Sequence, residues 1–140
     1  MKLHQNNIDL FTTLCILIFF MAFIIGCKKN SGDNITNFTI KIDSISHPDT
    51  IFIDSTLIIQ FHGNIGSTEC YSFYKFEPSY TKDSLHITSL GQFESKQGCA
   101  LKNINLESKT LLISNLPKGN TNIIITQPDS TTLIDSVYVR

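Results

Sequence analysis

Tryptophan is absent from this chain of 140 residues, methionine occurs twice, and Asp, Glu, Lys and Arg together make up only 16%. Without Trp, the large aromatic surface of any core has to come from the 10 Phe and 4 Tyr. The formal net charge is −1, which leaves no basic field to attract nucleic acid and no acidic tail to store cations. Sustained 3.6-residue periodicity is missing beyond Phe38, which argues against a helical domain. Catalytic signatures are missing too: there is no GxSxG elbow, HExxH helix, P-loop, dinucleotide fingerprint or EF-hand loop. His47, His62 and His86 fall in separate segments, and nothing in the spacing pairs them with a nucleophile or carboxylate. We therefore expect neither an enzyme nor a bound cofactor or metal.

The chain does have a long apolar run, from Leu10 to Ile25, behind a polar start containing Lys2 and His4. Its uninterrupted part, Leu14 to Ile25, is 12 residues. That is short of the ~20 needed to span a bilayer. The run closes on Ile24-Ile25-Gly26-Cys27, which resembles the lipobox of bacterial lipoprotein precursors. The resemblance implies a signal peptide over residues 1–26, cleavage before Cys27, and a membrane partner held through diacylglycerol on the Cys27 sulfur, with a fatty acyl chain such as palmitate on its amine. An uncleaved membrane anchor is the competing reading, and the polar CKKNSGDN segment that follows at once weighs against it. Two or three acyl chains give stable attachment, at about 0.8 kcal/mol per buried methylene. The CKKNSGD stretch is similar to the short charged export sequences of Bacteroidota lipoproteins, without their acidic run. This implies a cell-envelope location at the outer membrane, on its periplasmic or its surface face. Residues 27–36 read as the lipidated Cys and a flexible tether, and 37–140 as one domain.

Cys15 leaves with the signal peptide and Cys27 is taken by lipid, so Cys70 and Cys99 remain in an oxidising compartment. One disulfide between them is the simplest reading. Closing a loop of roughly 30 residues contributes about 3.5 kcal/mol on the chain-entropy model. A redox-active or metal-binding pair would call for a CxxC spacing or neighbouring His, and both are lacking.

From Phe38 onward, β-branched and aromatic runs alternate with Gly, Pro, Asn and Asp-Ser punctuation, which predicts an all-β domain. Strands are expected at 37–43, 50–53, 56–62, 70–76, 84–89, 99–105, 109–113, 121–126 and 132–139. Phe38, Ile40 and Ile42 fall on one face, as do Leu57, Ile59 and Phe61, and these faces should meet in the core. Asp54-Ser55 interrupts an apolar stretch and predicts a bend where the chain changes sheets. The C-terminal third combines Leu116-Pro117-Lys118-Gly119, an Ile-rich strand, a Gln127-Pro128-Asp129-Ser130 turn and a final Val-Tyr-Val. It resembles the last two strands of bacterial immunoglobulin-like and fibronectin type III-like modules, with Asn122 near the place of their corner tyrosine. This implies an immunoglobulin-like antiparallel β-sandwich preceded by the helical signal peptide and the tether. Architecture alone carries no activity.

Two patterns suggest contact or modification sites. The segment from Cys70 to Tyr80 holds five aromatics, and alternation puts Cys70, Ser72, Tyr74 and Phe76 on one side, Tyr71, Phe73, Lys75 and Glu77 on the other. Core packing is the plainer reading; Tyr71 and Tyr80 are the candidates if the cluster stacks on a glycan. Separately, six of the seven Asp after Cys27 are followed by Ser or Thr and then an aliphatic residue or Thr. The triplets resemble O-glycosylation sites of Bacteroidota envelope proteins, which implies glycans on Ser44, Thr50, Ser55, Ser84, Ser130 and Ser136. Turn formation by Asp-Ser and Asp-Thr is the competing explanation. We expect a lipid-anchored, non-catalytic binding or accessory module, whose end loops near 62–69 and 90–98, beside the two Cys, meet an envelope protein or glycan. A structural subunit of an outer-membrane complex and a polysaccharide-binding surface lipoprotein are the alternatives.

Overall fold

Apolar residues at every second position bury one face of each principal strand, and the computed structural model shows the resulting β-sandwich over residues 34–107 and 109–140. The expected signal peptide, Cys27 and the expected tether residues 28–33 lie outside the described residues. The strands are β1 (Asn34–Thr39), β2 (Ser44–Ser46), β3 (Thr50–Ile51), β4 (Leu57–His62), β5 (Asn64–Thr68), β6 (Tyr71–Tyr80), β7 (Ser84–Ser95), β8 (Leu101–Asn105), β9 (Thr110–Ile113), β10 (Gly119–Thr126) and β11 (Thr132–Val139). Among the described residues there is no helix.

The larger sheet is built on β7, whose one edge pairs with β6. Its other edge is shared: β1 runs antiparallel along Leu90 to Ser95 and β10 runs parallel along Ser84 to Thr88. β11 and then β3 complete this sheet. The second layer is β2-β4-β9 together with the ribbon β5-β8. Two pairings, β7 with β10 and β11 with β3, are parallel, a departure from the purely antiparallel arrangement expected. A parallel neighbour needs a long crossover, and here β8 and β9 supply it on the way from β7 to β10.

Both layers fill one core. Leu57, Ile59 and Phe61 of β4 face Leu85 and Ile87 of β7, Ile123 and Ile125 of β10, and Val137 and Val139 of β11 within one buried cluster. Each such side chain contributes about 1.5–3 kcal/mol when fully buried. In place of Trp, stacked Phe61 and Phe76, at 4.3 Å between centroids, and tilted Phe73 and Phe76, at 4.7 Å, cover one side. Asp54, at φ 65°, turns the chain out of β3 in the larger sheet and into β4 in the smaller, where the interruption predicted a switch.

The first segment makes the reverse transfer. Ile40 N–H still donates to Ser89 O of the larger sheet (2.8 Å), whereas Asp43 N–H donates to His62 O of the smaller (2.9 Å). Between them Ile42 is buried with no strand beside it, and the Gln127 amide fills the gap. Ile42 N–H donates to Gln127 Oε1 (3.0 Å), and Gln127 Nε2 donates to Ile42 O (2.9 Å). A side-chain amide thus stands in for a neighbouring strand.

Several boundaries differ from the sequence reading. β1 begins at Asn34, so residues 34–36 belong to the sheet and not to the tether; its mostly exposed side chains left no alternation to read. The expected loop at 62–69 is largely β5, and the expected loop at 90–98 is largely the second half of β7. Gly66 and Gly91 explain why polar, Gly-containing segments are strands here. A Cβ at Gly66 would overlap the Tyr71 ring, and one at Gly91 would come 2.5 Å from Phe38 Cζ, so each glycine seats an aromatic ring.

Candidate binding surface

Cys70 and Cys99 are bonded, with Cα atoms 5.6 Å apart and Cys70 buried. The bridge joins the turn before β6 to the link between β7 and β8. Backbone bonds reinforce it, from Glu69 N–H to Ala100 O and from Glu94 N–H to Cys70 O, both 3.0 Å. It therefore pins strand ends instead of locking two long recognition loops together.

Tyr71 and Tyr80 do not form one platform. Tyr71 lies half-buried against the core, edge-on to Phe38 at 5.7 Å and tilted against Phe93 at 4.8 Å. Tyr80 is exposed at the other end of β6, about 30 Å away at ~3.3 Å per residue. Strict alternation also fails inside β6, because the register slips between Phe73 and Lys75. The extra residue, Tyr74, turns outward, and Phe76 then joins Tyr71 and Phe73 on the core side instead of Cys70 and Ser72.

The six triplet hydroxyls lie in different parts of the surface: Ser44, Thr50, Ser130 and Ser136 are exposed, and Ser55 and Ser84 are half-buried. Turn chemistry accounts for two of the triplets. Asp54 and Ser130 take left-handed backbone, and Asp129 Oδ1 accepts from Thr131 Oγ1 (2.6 Å) and Thr131 N–H (3.1 Å). These bonds, the hydroxyl first, hold the Asp129 carboxyl below its usual pKa. Asp135 Oδ1 likewise accepts from Ser136 N–H (2.8 Å), whereas among the described residues Asp43, Asp49 and Asp83 show no such local side-chain bond, so for these the turn explanation is weaker.

Among the described residues, no group of three His, Cys, Asp or Glu side chains could hold a metal ion. The His47 side chain is 3% exposed and packs beside β11, with Nδ1 3.0 Å from Pro48 O and Nε2 3.3 Å from Asp135 Oδ2. His62 and His86 lie on β4 and β7, and among the described residues no nucleophile is hydrogen-bonded to any of the three. A shallow cavity of about 190 Å³ opens beside Gln127, lined by Lys41, Pro128, Asp129 and Thr131. On the edge strand β6, Lys75 and Glu77 form an exposed pair at 2.6 Å that raises the Lys75 pKa.

The most prominent surface feature is the outward side of the larger sheet near β11 and β3. Val137 and Val139 point into the core, which turns Ile134, Ser136 and Tyr138 outward; Ile134 is 65% exposed and Tyr138 49%. Ile51 points inward, which leaves Phe52 61% exposed. The Arg140 guanidinium lies over the Phe52 ring at 4.4 Å. Tyr138 stands opposite Asn120 on β10 and Thr50 on β3, and Ile134 opposite Ile124. Two aromatics, two isoleucines and several hydroxyl and amide groups thus share one face. The smaller sheet exposes a lesser patch, the cross-strand pair Ile58 and Leu112. Sequence reasoning missed Phe52 and Tyr138 by weighing aromatic density over alternation, although the same period-2 rule, applied to TIFI and VYV, turns both outward. No family model matches the chain, and neither does any curated protein or solved structure, so its functional reading rests on this geometry.

Proposed function

We propose that this chain is a non-catalytic binding module held on the cell envelope by lipid at Cys27, and that it engages an envelope protein through the outward face of β10, β11 and β3. The exposed side chains of Ile134 and Tyr138 on β11, and of Phe52 directly after β3, carry this reading. Side chains on a hydrogen-bonded sheet lose little backbone freedom on binding, and aromatics with two rotatable angles give much contact area for little entropy. An apolar face of this kind favours a protein contact, as an accessory or structural subunit of an outer-membrane complex would make. The second reading, a polysaccharide ligand, draws support from the Tyr138 ring flanked by Asn120 and Thr50, an aromatic plane bordered by hydrogen-bonding groups.

Co-purification from native membranes in mild detergent, with partners quantified, separates the two. A stoichiometric protein partner supports the leading reading; its absence together with retention on a carbohydrate array supports the second; neither one removes the binding-module reading. Intact mass of the same material tests the attachments. Expected is a chain lacking residues 1–26 and carrying acyl groups, with hexose-type increments if Ser44, Thr50, Ser55, Ser84, Ser130 or Ser136 is glycosylated.

A further inference from the structure

Six residues, 28–33, separate Cys27 from Asn34, where β1 begins. At up to ~3.6 Å per residue, seven peptide steps reach at most about 25 Å. The start of β1 is consequently leashed close to any membrane that holds Cys27, and what surrounds Asn34 decides what meets the lipid.

Pairing and bridging gather one end of the sandwich there. Asn34 pairs with Ser95 and Ile35 with Glu94. Glu94 N–H donates to Cys70 O (3.0 Å), and Cys70 is bonded to Cys99. Two residues further on, Leu101 pairs with Thr68 at the start of β8. At this end two large apolar side chains stand in the open, Leu101 at 89% exposure and Ile35 at 59%. Charge there is balanced: Lys96 is paired with Glu94 at 3.0 Å, and Glu69 and Lys102 are both exposed. Burial of Leu101 and Ile35 does not depend on lipid charge.

Resting on the lipid attachment at Cys27 proposed above, we propose that the disulfide-pinned end of the sandwich docks on the bilayer surface, with Leu101 and Ile35 entering the boundary between headgroups and acyl chains. The Cys70–Cys99 bridge holds these two residues on one rigid end, so that both enter together. The docking also orients the molecule. β10 runs parallel to β7 with Asn122 beside Ser84, so Asn120 and its partner Tyr138 lie beyond the end of β7 remote from Ser95. The Phe52 and Tyr138 face is then presented away from the membrane.

Because the chain contains no Trp, one introduced indole reports its own surroundings. The mature lipidated protein carrying Leu101→Trp, Ile35→Trp or, as the remote control, Lys82→Trp is reconstituted into phosphatidylcholine vesicles with brominated acyl chains, and vesicles are recovered by flotation. All three positions are exposed, so the substitutions leave the core untouched. Expected is co-flotation of all three, at least twofold quenching for Leu101→Trp and Ile35→Trp, and no quenching for Lys82→Trp. Co-flotation with no quenching at 101 and 35, or with equal quenching at all three positions, overturns the docking while leaving the lipid anchor standing. Failure to co-float overturns the anchor and the docking together.

Discussion

Replacing Gln127 should be among the most destabilising single changes that leaves the aliphatic core intact. Its amide accepts from Ile42 N–H and donates to Ile42 O, both on a residue that is 2% exposed. Leaving a buried donor or acceptor unsatisfied costs about 1–3 kcal/mol for each group. For Gln127→Met, which keeps volume and removes both partners, the expected loss is about 3 kcal/mol. Taking ~2.1 cal/mol/K of unfolding entropy per residue for a domain of about 107 residues, each kcal/mol lowers Tm by about 4–5 °C, so Met should lower it by about 13 °C. Met is preferred to Ala because the adjoining cavity of about 190 Å³ would admit water to a truncated site and mask the effect. Gln127→Glu adds a test by sign. Protonated, the new carboxyl can accept from Ile42 N–H and donate to Ile42 O; ionised, it has no proton for the carbonyl. Burial and the facing carbonyl raise its folded pKa above the unfolded value of about 4.3, so stability relative to wild type should fall as pH rises from about 4 to 7. Urea unfolding followed by circular dichroism at both pH values reads each quantity. A loss below about 1 kcal/mol for Met, or a Glu variant whose deficit does not change with pH, would show that the amide does not substitute for a strand.

Three further outcomes follow from the same contacts. Cys70→Ser with Cys99→Ser should lower stability by about 3.5 kcal/mol in urea unfolding, the loop-closure value for a separation of 29 residues, and a loss under about 1 kcal/mol would contradict it. Gly91→Ala should cost about 1–3 kcal/mol through overpacking against the Phe38 ring, and the double variant with Phe38→Ala should show less than the sum of the two single losses. Thr131→Val removes the hydroxyl bond to Asp129, so the depressed Asp129 pKa should move up toward its ordinary value in an NMR titration; because the folded pKa lies below the unfolded one, the carboxylate stabilises above the unfolded pKa and loses that contribution as pH falls through the folded pKa, and this acid-side loss should shrink in the variant.

Where one face of a strand is buried, the sequence reveals it: alternation in Leu57-Ile58-Ile59-Gln60-Phe61 marks both the strand and its inward face, and Asp54-Ser55 marks the change of sheet. The Cys70–Cys99 bond was legible by elimination, once the lipobox reading set Cys15 and Cys27 aside. β5 and the first half of β1 were not legible, because both are largely polar and owe their strand form to partners distant in sequence, Leu101 to Asn105 and Phe93 to Ser95. The parallel pairing of β7 with β10 is equally hidden, since periodicity fixes the face of a strand but not its neighbour. In β6, one inserted residue reverses the inward and outward assignment beyond Phe73, and no local signal announced it. The binding face was within reach, for Tyr138 sits between two buried valines and Phe52 follows a buried isoleucine. The aromatic density of CYSFYKFEPSY drew attention to residues that mostly serve the core.

The most direct test of the proposed binding face is site-specific photocrosslinking in living cells, with a photoreactive phenylalanine analogue placed in turn at Tyr138, Ile134 and Lys82. Expected is a discrete heavier species from the substitutions at 138 and 134 and none from the exposed remote position at 82. An adduct from position 82 with none from 138 or 134 would contradict a partner on the outward face of β10, β11 and β3.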